Sequence, residues 1–297
     1  MTPVDTQILR SRTANLEFSL YDSDGDLDDA TTGLTVGVTS ADGTEVIAAG
    51  TAATDAGATR PGVWTKSLTA AQTGSLAILT ATWKDSSGNT LDVTTHEVVS
   101  GFYFEPGEFR DTEQAPSSKF DDDRVKRARR QVEEDFERIC DVAFLPRYAR
   151  ERLDGTGTTC ILLPHTKVRT IRTVRVYSDS TTYTSFDSTE LAALDIEGQL
   201  GIEVIRTDGN TWTSGYRNIV VEYEHGYIRP PQSVKEAAMR YARHVLTQSK
   251  SGLSQRFIFE ANTGATIGLA RAEMWKTGID EVDSILQRFS LRVPGFA

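Results

Sequence analysis

The sequence predicts an all-β sandwich over residues 1–104, followed by an α+β unit with long helices and a small β-sheet over 119–297, the two joined by a linker at 105–118. Three observations carry this. Hydrophobic periodicity is two in the first hundred residues and changes to that of a helix after Asp121. Asp-Gly and Ser-Gly-Asn turn signals separate the short runs of the first part. Charge divides at the same place: residues 1–120 hold 17 Asp and Glu against 7 Lys and Arg, whereas 121–297 hold 25 of each. An acidic half and a neutral half read as two units with different surfaces.

In the first part, Leu16-Glu17-Phe18-Ser19-Leu20, Leu34-Thr35-Val36-Gly37-Val38 and Ile78-Leu79-Thr80-Ala81-Thr82-Trp83 alternate, which puts one face in a core and the other in water. Gly62–Thr65 and Glu97–Tyr103 add further strands. Asp24-Gly25, Asp42-Gly43 and Ser87-Gly88-Asn89 lie between runs as hairpin turns. Six or seven short strands with no helical pattern indicate a sandwich, and one that holds no cysteine. Residues 105–118 contain Pro106 and Pro116 and no apolar periodicity, as a linker does.

From Asp121, apolar residues fall at Val125, Ala128, Val132, Phe136, Ile139 and Ala143, the stripe of an amphipathic helix opened by acids and stopped at Pro146. Strands are expected at Cys160–Leu163, Val168–Tyr177, Gly201–Arg206 and Asn218–Tyr223. A second helix follows Pro230-Pro231, with Ser233 and Glu236 as its capping box and Gly252 as its stop. A last short helix carries Ile279, Val282, Ile285, Leu286 and Phe289, before a tail with Leu291, Val293 and Phe296.

Composition excludes several classes. With 297 residues, 38% hydrophobic and 25% charged, the chain can bury two cores and is neither disordered nor fibrous. No apolar run exceeds four residues, so no membrane-spanning helix is expected, and the first residues show no secretory signal. Two cysteines do not make a disulfide framework and fit a reducing compartment. Neither half is the basic body that phosphate binding needs.

Catalytic and metal motifs are incomplete. His96-Glu97-Val98-Val99-Ser100 lacks the second histidine of a zinc protease and lies in a strand pattern. Gly155-Thr156-Gly157 has no third glycine and no following helix, so it reads as a β-turn rather than a phosphate loop. Asp22 to Asp29 alternates carboxylates as a calcium loop does, but Leu27 and Gly33 stand where an EF-hand wants Gly and Glu; a solvated hairpin is the better reading. Cys140, Cys160 and His165 lack a fourth ligand. His225 and His244 have no sequence-evident triad partner, which leaves a hydrolase as the weakest of the functional readings. No metal and no cofactor is expected. Arg124, Arg127 and Arg130 open a basic run followed at once by Glu133, Glu134 and Glu137, so pairing within the helix, or with the acids of a neighbouring subunit, is expected before DNA binding. Arg124, Arg127, Arg130 and Glu134 are therefore the candidates for contacts between subunits.

The order of landmarks over about residues 120–297 resembles the head-to-tail connector (adaptor) proteins of long-tailed bacteriophages. The stretches that carry the likeness are Ala143-Phe144-Leu145-Pro146-Arg147, Leu153-Asp154-Gly155-Thr156-Gly157 and Leu162-Leu163-Pro164. Val220 to Tyr227, Pro230-Pro231-Gln232-Ser233-Val234 and Thr277 to Leu286 complete it. The N-terminal sandwich lies outside the family core and looks like the immunoglobulin-like modules added to phage structural proteins. The resemblance implies a non-enzymatic virion protein, assembled in the host cytoplasm and located at the capsid–tail neck. It implies a homo-oligomeric ring, a dodecamer, that docks under the portal protein, touches the capsid and presents a platform to the stopper (head completion) protein. DNA would pass through the lumen without sequence-specific binding. It also implies that the C-terminal segment meets the portal or a neighbour, through Ile285, Phe289, Leu291, Val293 and Phe296. Such a tail is costly to leave in water, at ~1.5–3 kcal/mol per large apolar side chain. A tail folded back on its own domain is the other reading of those residues. A receptor- or glycan-binding module, with the sandwich as the recognition domain, is the alternative function.

Overall fold

The computed structural model describes residues 6–21, 24–27, 33–57, 60–251 and 276–291, with side chains in the fourth helix described through Thr247. The first part is β1 (Thr6–Leu9), β2 (Ala14–Ser19), β3 (Thr35–Ser40), β4 (Glu45–Ala52), β5 (Thr54–Asp55), β6 (Val63–Leu68), β7 (Ala77–Lys84) and β8 (Thr90–Val99). One sheet has the order β1-β8-β7-β3-β4, the other β2-β6-β5. The two face each other across one core, in which Leu16, Trp64 and Leu68 meet Val36, Val38, Leu79 and Trp83. Phe18 of one sheet stacks on Trp83 of the other, with ring centroids 5.5 Å apart. This is the sandwich that the alternation predicts. The turn at Asp42-Gly43 forms as expected: the Asp42 carboxylate accepts from the Thr44 N–H, and Gly43 takes φ +89°, which a side chain would resist. Strands β1, β4 and β5 lie outside the predicted runs. β4 is rich in Ala and Gly and pairs with β3 through register shifts, so its apolar residues do not alternate.

The expected linker at 105–118 is instead packed structure as far as Ala115, and Pro116, Ser117 and Ser118 after it are exposed. The strand read as running to Tyr103 ends at Val99, and Tyr103 and Phe104 are buried in the second part's helical core. Helix α1 (Pro106–Glu113) follows, with Phe109 fully buried and stacked on Phe104 at 5.7 Å. Pro106 stands in the first turn, where its missing N–H costs nothing. Phe109 is the helix's single apolar residue besides that proline, too little to show a period. Limited proteolysis is therefore expected to spare residues 105–115 under conditions that cut exposed loops; rapid cleavage there would contradict the packing.

The second part continues with α2 (Asp122–Cys140), β9 (Arg147–Gly155), β10 (Cys160–Leu162), β11 (Val168–Tyr177), β12 (Tyr183–Ser185) and α3 (Ser188–Ala192). It closes with β13 (Leu194–Glu197), β14 (Glu203–Arg206), β15 (Gly215–His225), α4 (Gln232–Ser251) and α5 (Asp280–Gln287). Helix α2 buries the predicted stripe, and the Asp121 side chain caps it by accepting from the Arg124 N–H. Helix α4 starts at Gln232, where the Lys235 N–H reaches the Pro231 carbonyl; Ser233 thus sits inside the first turn rather than capping it. The small β-sheet expected here is two sheets, ordered β12-β11-β15-β9 and β10-β14-β13. They enclose their own core around Val174, Val204, Trp212, Ile219, Val221 and Tyr223. Helices α1, α2, α4 and α5 share a third core with Tyr103, Phe104, Phe144 and Leu145.

Candidate functional site

The sandwich meets the second part through charge. Arg147, buried at the start of β9, reaches three carboxylates on two elements. Its Nη1 donates to Glu97 of β8 at 3.0 Å, its Nη2 to Glu133 of α2 at 3.4 Å, and Nη2 and Nε to Glu137 of α2 at 2.9 and 3.2 Å. Glu133 is fully buried and also accepts from Gln7 Nε2 of β1 (3.0 Å) and from the Tyr103 N–H (2.9 Å). Nearby, Arg172 of β11 pairs with Glu224 and donates to the Leu76 carbonyl of the sandwich. One guanidinium thus fastens β8, α2 and β9 together, and the sandwich is held rather than tethered.

A second convergence joins the segments that carry the family likeness. The Tyr227 N–H donates to the Ala143 carbonyl at 2.9 Å, and Phe144 stacks on Tyr227 at 5.6 Å. Phe289, just after α5, stands edge-on to both rings, at 5.6 and 6.5 Å. Gly226 makes the approach possible. Its φ is +97°, and a Cβ there would lie 2.5 Å from the Leu145 carbonyl oxygen and 2.8 Å from that of Ala143.

The expected docking residues fall on this junction. Ile285, Phe289 and Leu291 are half-buried against the chain's own helical core, and the Leu291 N–H donates to the Cys140 carbonyl. As far as Leu291 the segment is folded back; Val293 and Phe296 lie outside the described residues. On α2, Arg130 pairs with Glu134 at 3.1 Å within the helix, Arg124 Nη1 donates to the Lys119 carbonyl (3.4 Å), and Arg127 is exposed. Arg129 of the same basic run is buried, with its guanidinium 3.5 Å from the Phe102 ring centroid.

The histidines and cysteines are separated by element. His96 is buried between Thr6 and Thr94 hydroxyls. His225 stacks on His165 at 4.2 Å, and the His165 Nδ1 lies 2.7 Å from the Tyr223 hydroxyl. Burial lowers both pKa values, that of His225 to about 3, so both rings are neutral near pH 7. Among the described residues no serine, threonine or cysteine is hydrogen-bonded to either ring. His244 stacks on Tyr241 of its own helix. Burial pushes the Cys140 thiol up to about 12, and it donates to the Leu286 carbonyl; Cys160 lies on β10. Among the described residues no group of three or more His, Cys, Asp or Glu could hold a metal ion.

The arginine cluster has a pH signature. Burial raises the Glu137 pKa to about 7, against the pull of Arg147. Burial would lower that of Arg147, but Glu137, Glu97 and Glu133 outweigh it and hold it high. Glu137 therefore binds its proton more tightly folded than unfolded: its contribution favours the fold below ~4.5 and is lost as pH rises through about 7. His225 runs the other way, favouring the fold above ~6.5 and losing that as pH falls towards about 3. Between those limits the slopes oppose, each ~1.4 kcal/mol per pH unit. His165, whose pKa burial also lowers, adds to the histidine side, so melting temperature should fall on acidification from pH ~6.5 towards ~4.5, and Glu137→Gln should make that fall steeper. A flat profile in the variant would contradict these assignments.

The arginine joint is not written in the sequence as a motif. Its only trace is that Glu133 and Glu137, four residues apart, flank the apolar stripe of α2 and so turn towards the interior.

No family model and no curated protein matches the chain. Among solved structures it is similar to a chain of the neck of an empty GTA particle computed with C6 symmetry, at 14% identity and a TM-score of 0.43, covering 64% of this chain and 91% of that one. It is also similar to a chain of the virion of a native gene transfer agent (GTA) particle, at 16% identity and a TM-score of 0.42, covering 65% and 95%.

Proposed function

We propose that the chain is a virion structural protein, a head-to-tail adaptor whose copies form a ring of twelve beneath the portal. The ring extends the DNA channel and offers a platform to the stopper and tail. The observation that carries this reading is the order of the landmark segments and their meeting at one place. Ala143–Arg147, the Val220–Tyr227 stretch and the last helix, far apart in sequence, join around Gly226, Phe144, Tyr227 and Phe289. The balanced charge of residues 121–297 suits a channel that DNA passes without being held. Arg127 of α2 remains a candidate for contact between subunits, and Val293 and Phe296 for contact with the portal.

Purified chain mixed with its portal protein is expected to co-sediment as one complex. Deleting residues 293–297 should leave the melting temperature within about 2 °C, since the packing up to Leu291 is kept, and should abolish the complex. A truncated chain that still binds the portal would remove the tail from the interface; a full-length chain that never binds it would overturn the adaptor reading. A second reading, the sandwich as a receptor- or glycan-binding module, is favoured by the exposed Tyr21 and Leu27 at its outer pole. Binding of the chain to cells or glycans, with none to the portal, would select it.

A further inference from the structure

An open groove of 910 Å³ runs along the seam between the sandwich and the second part. Three exposed arginines line it from both sides: Arg10 after β1, Arg169 on β11 and Arg229 in the turn before α4. Leu145 and Pro146 contribute an apolar wall, and Ile228, 74% exposed, stands at its edge. The other charged groups lining it are engaged, Glu224 with Arg172 and Lys235 with Glu108. None of the three arginines has an ion-pair partner among the described residues. Three arginines without ion-pair partners beside one apolar wall make a local basic patch on a chain of net charge −10, the surface that an acidic segment of another copy complements.

Five of the eight residues in Asp22-Ser23-Asp24-Gly25-Asp26-Leu27-Asp28-Asp29 are aspartates. In the structure Tyr21 pairs with Leu27 across the turn, Asp24 and Asp26 are exposed at its tip, and Tyr21 and Leu27 are 60% and 42% exposed beside them. Carboxylates flanking bare apolar side chains are the complement of the groove. The topology keeps the two apart within one chain. The Arg10 N–H bonds the Val99 carbonyl, and Ser11 and Arg12 bond Thr73, so the groove lies at the end of the sandwich where β1 and β8 finish and β2 begins. β2 then runs its six residues away from that end, ~17–20 Å, before the hairpin starts. β3 returns from the same far pole, where Thr35 is paired with Lys84. The hairpin therefore cannot fold back into its own groove.

We propose that the hairpin carrying Asp24 and Asp26 of one copy seats in the arginine groove of the next, so that the sandwich serves as the arm linking neighbours head to tail. This rests on the ring reading given above. Such a contact joins two different surfaces of the subunit, the kind that closes into rings. Complementary charge supplies register and a salt-sensitive association rate, while Leu27, Tyr21 and Ile228 supply the apolar contact.

The test is a charge swap in the full chain. Wild type, the triple variant Arg10→Glu, Arg169→Glu, Arg229→Glu, the double variant Asp24→Lys, Asp26→Lys, and all five changes together are compared by sedimentation velocity, with melting temperature as the check on folding. The substituted side chains are exposed, so each variant should fold. Wild type is expected to assemble, more weakly at ~0.5 M salt than at ~0.05 M. Each one-sided reversal should weaken assembly at least tenfold, and the five-fold variant should recover it. Assembly of the triple variant at wild-type concentrations, or no recovery in the combined variant, overturns the arm-in-groove contact while leaving the ring intact. A wild type that stays monomeric overturns the ring reading itself. Loss of binding to a double-stranded DNA fragment in the triple variant, with assembly unchanged, would assign the groove to phosphate and overturn the proposal.

Discussion

Replacing Arg147 by alanine is expected to cost about 3–5 kcal/mol, the loss seen when one side of a buried ion cluster is removed and the other left behind. Three carboxyl groups converge on this guanidinium, and Glu133 has no exposed surface through which to be rehydrated. The consequence reaches beyond stability. Arg147 holds Glu97 of the sandwich against α2, so its loss should free the two parts from each other. Chemical denaturation would show a lower midpoint, and hydrogen exchange would show faster opening in β1, β8 and the last turns of α2, which carry Glu133 and Glu137, while the sandwich core stays protected. Adding Glu133→Gln and Glu137→Gln to the variant should recover part of the loss, because the surplus negative charge goes with them. A variant as stable as wild type would mean that the cluster is solvated and not a joint.

Gly226→Ala is expected to cost about 3 kcal/mol or more, from a strained backbone angle combined with collision against carbonyl oxygens. The new methyl cannot be accommodated by a side-chain rotation, since its nearest neighbours are the Leu145 and Ala143 backbone oxygens. Relief would require Tyr227 to withdraw from Ala143, breaking the bond between them and unstacking Phe144 and Phe289. The change should therefore show as faster hydrogen exchange at the Tyr227 amide and in the last helix, and as weaker assembly, because that helix is seated through Phe289. A Gly226→Ala chain that melts like wild type would show that this junction yields without cost.

The sandwich strands and the main helices were legible because each has many residues voting for one period. Helix α2 shows this best: its buried face, Val125, Ala128, Val132, Phe136 and Ile139, is the face read from spacing. Helix α1 was not legible, since one phenylalanine makes no period and two prolines argue for a loop. Strand β9 hides for a different reason. Its row Tyr148, Arg150 and Arg152 lies opposite Glu224, Glu222 and Val220 of β15, and Arg147 and Glu151 stand in the other row, so neither face reads as apolar. The Arg147 joint could not be read at all, because it is assembled from residues 50 and 14 positions away in sequence that only the fold brings together. The tail was legible as apolar but not as to its partner: hydrophobicity says that Phe289 and Leu291 must be covered, and only the packing shows that their own helical core covers them in part.

The central claim is a location, and the most direct measurement of it is where the protein sits in the particle. A small tag inserted in the Ser86–Gly88 turn at the outer pole of the sandwich would be labelled and imaged on intact virions. The adaptor reading predicts label at one vertex only, between capsid and tail, in a ring about the tail axis. Label at the tail tip, or spread over the capsid faces, would contradict it.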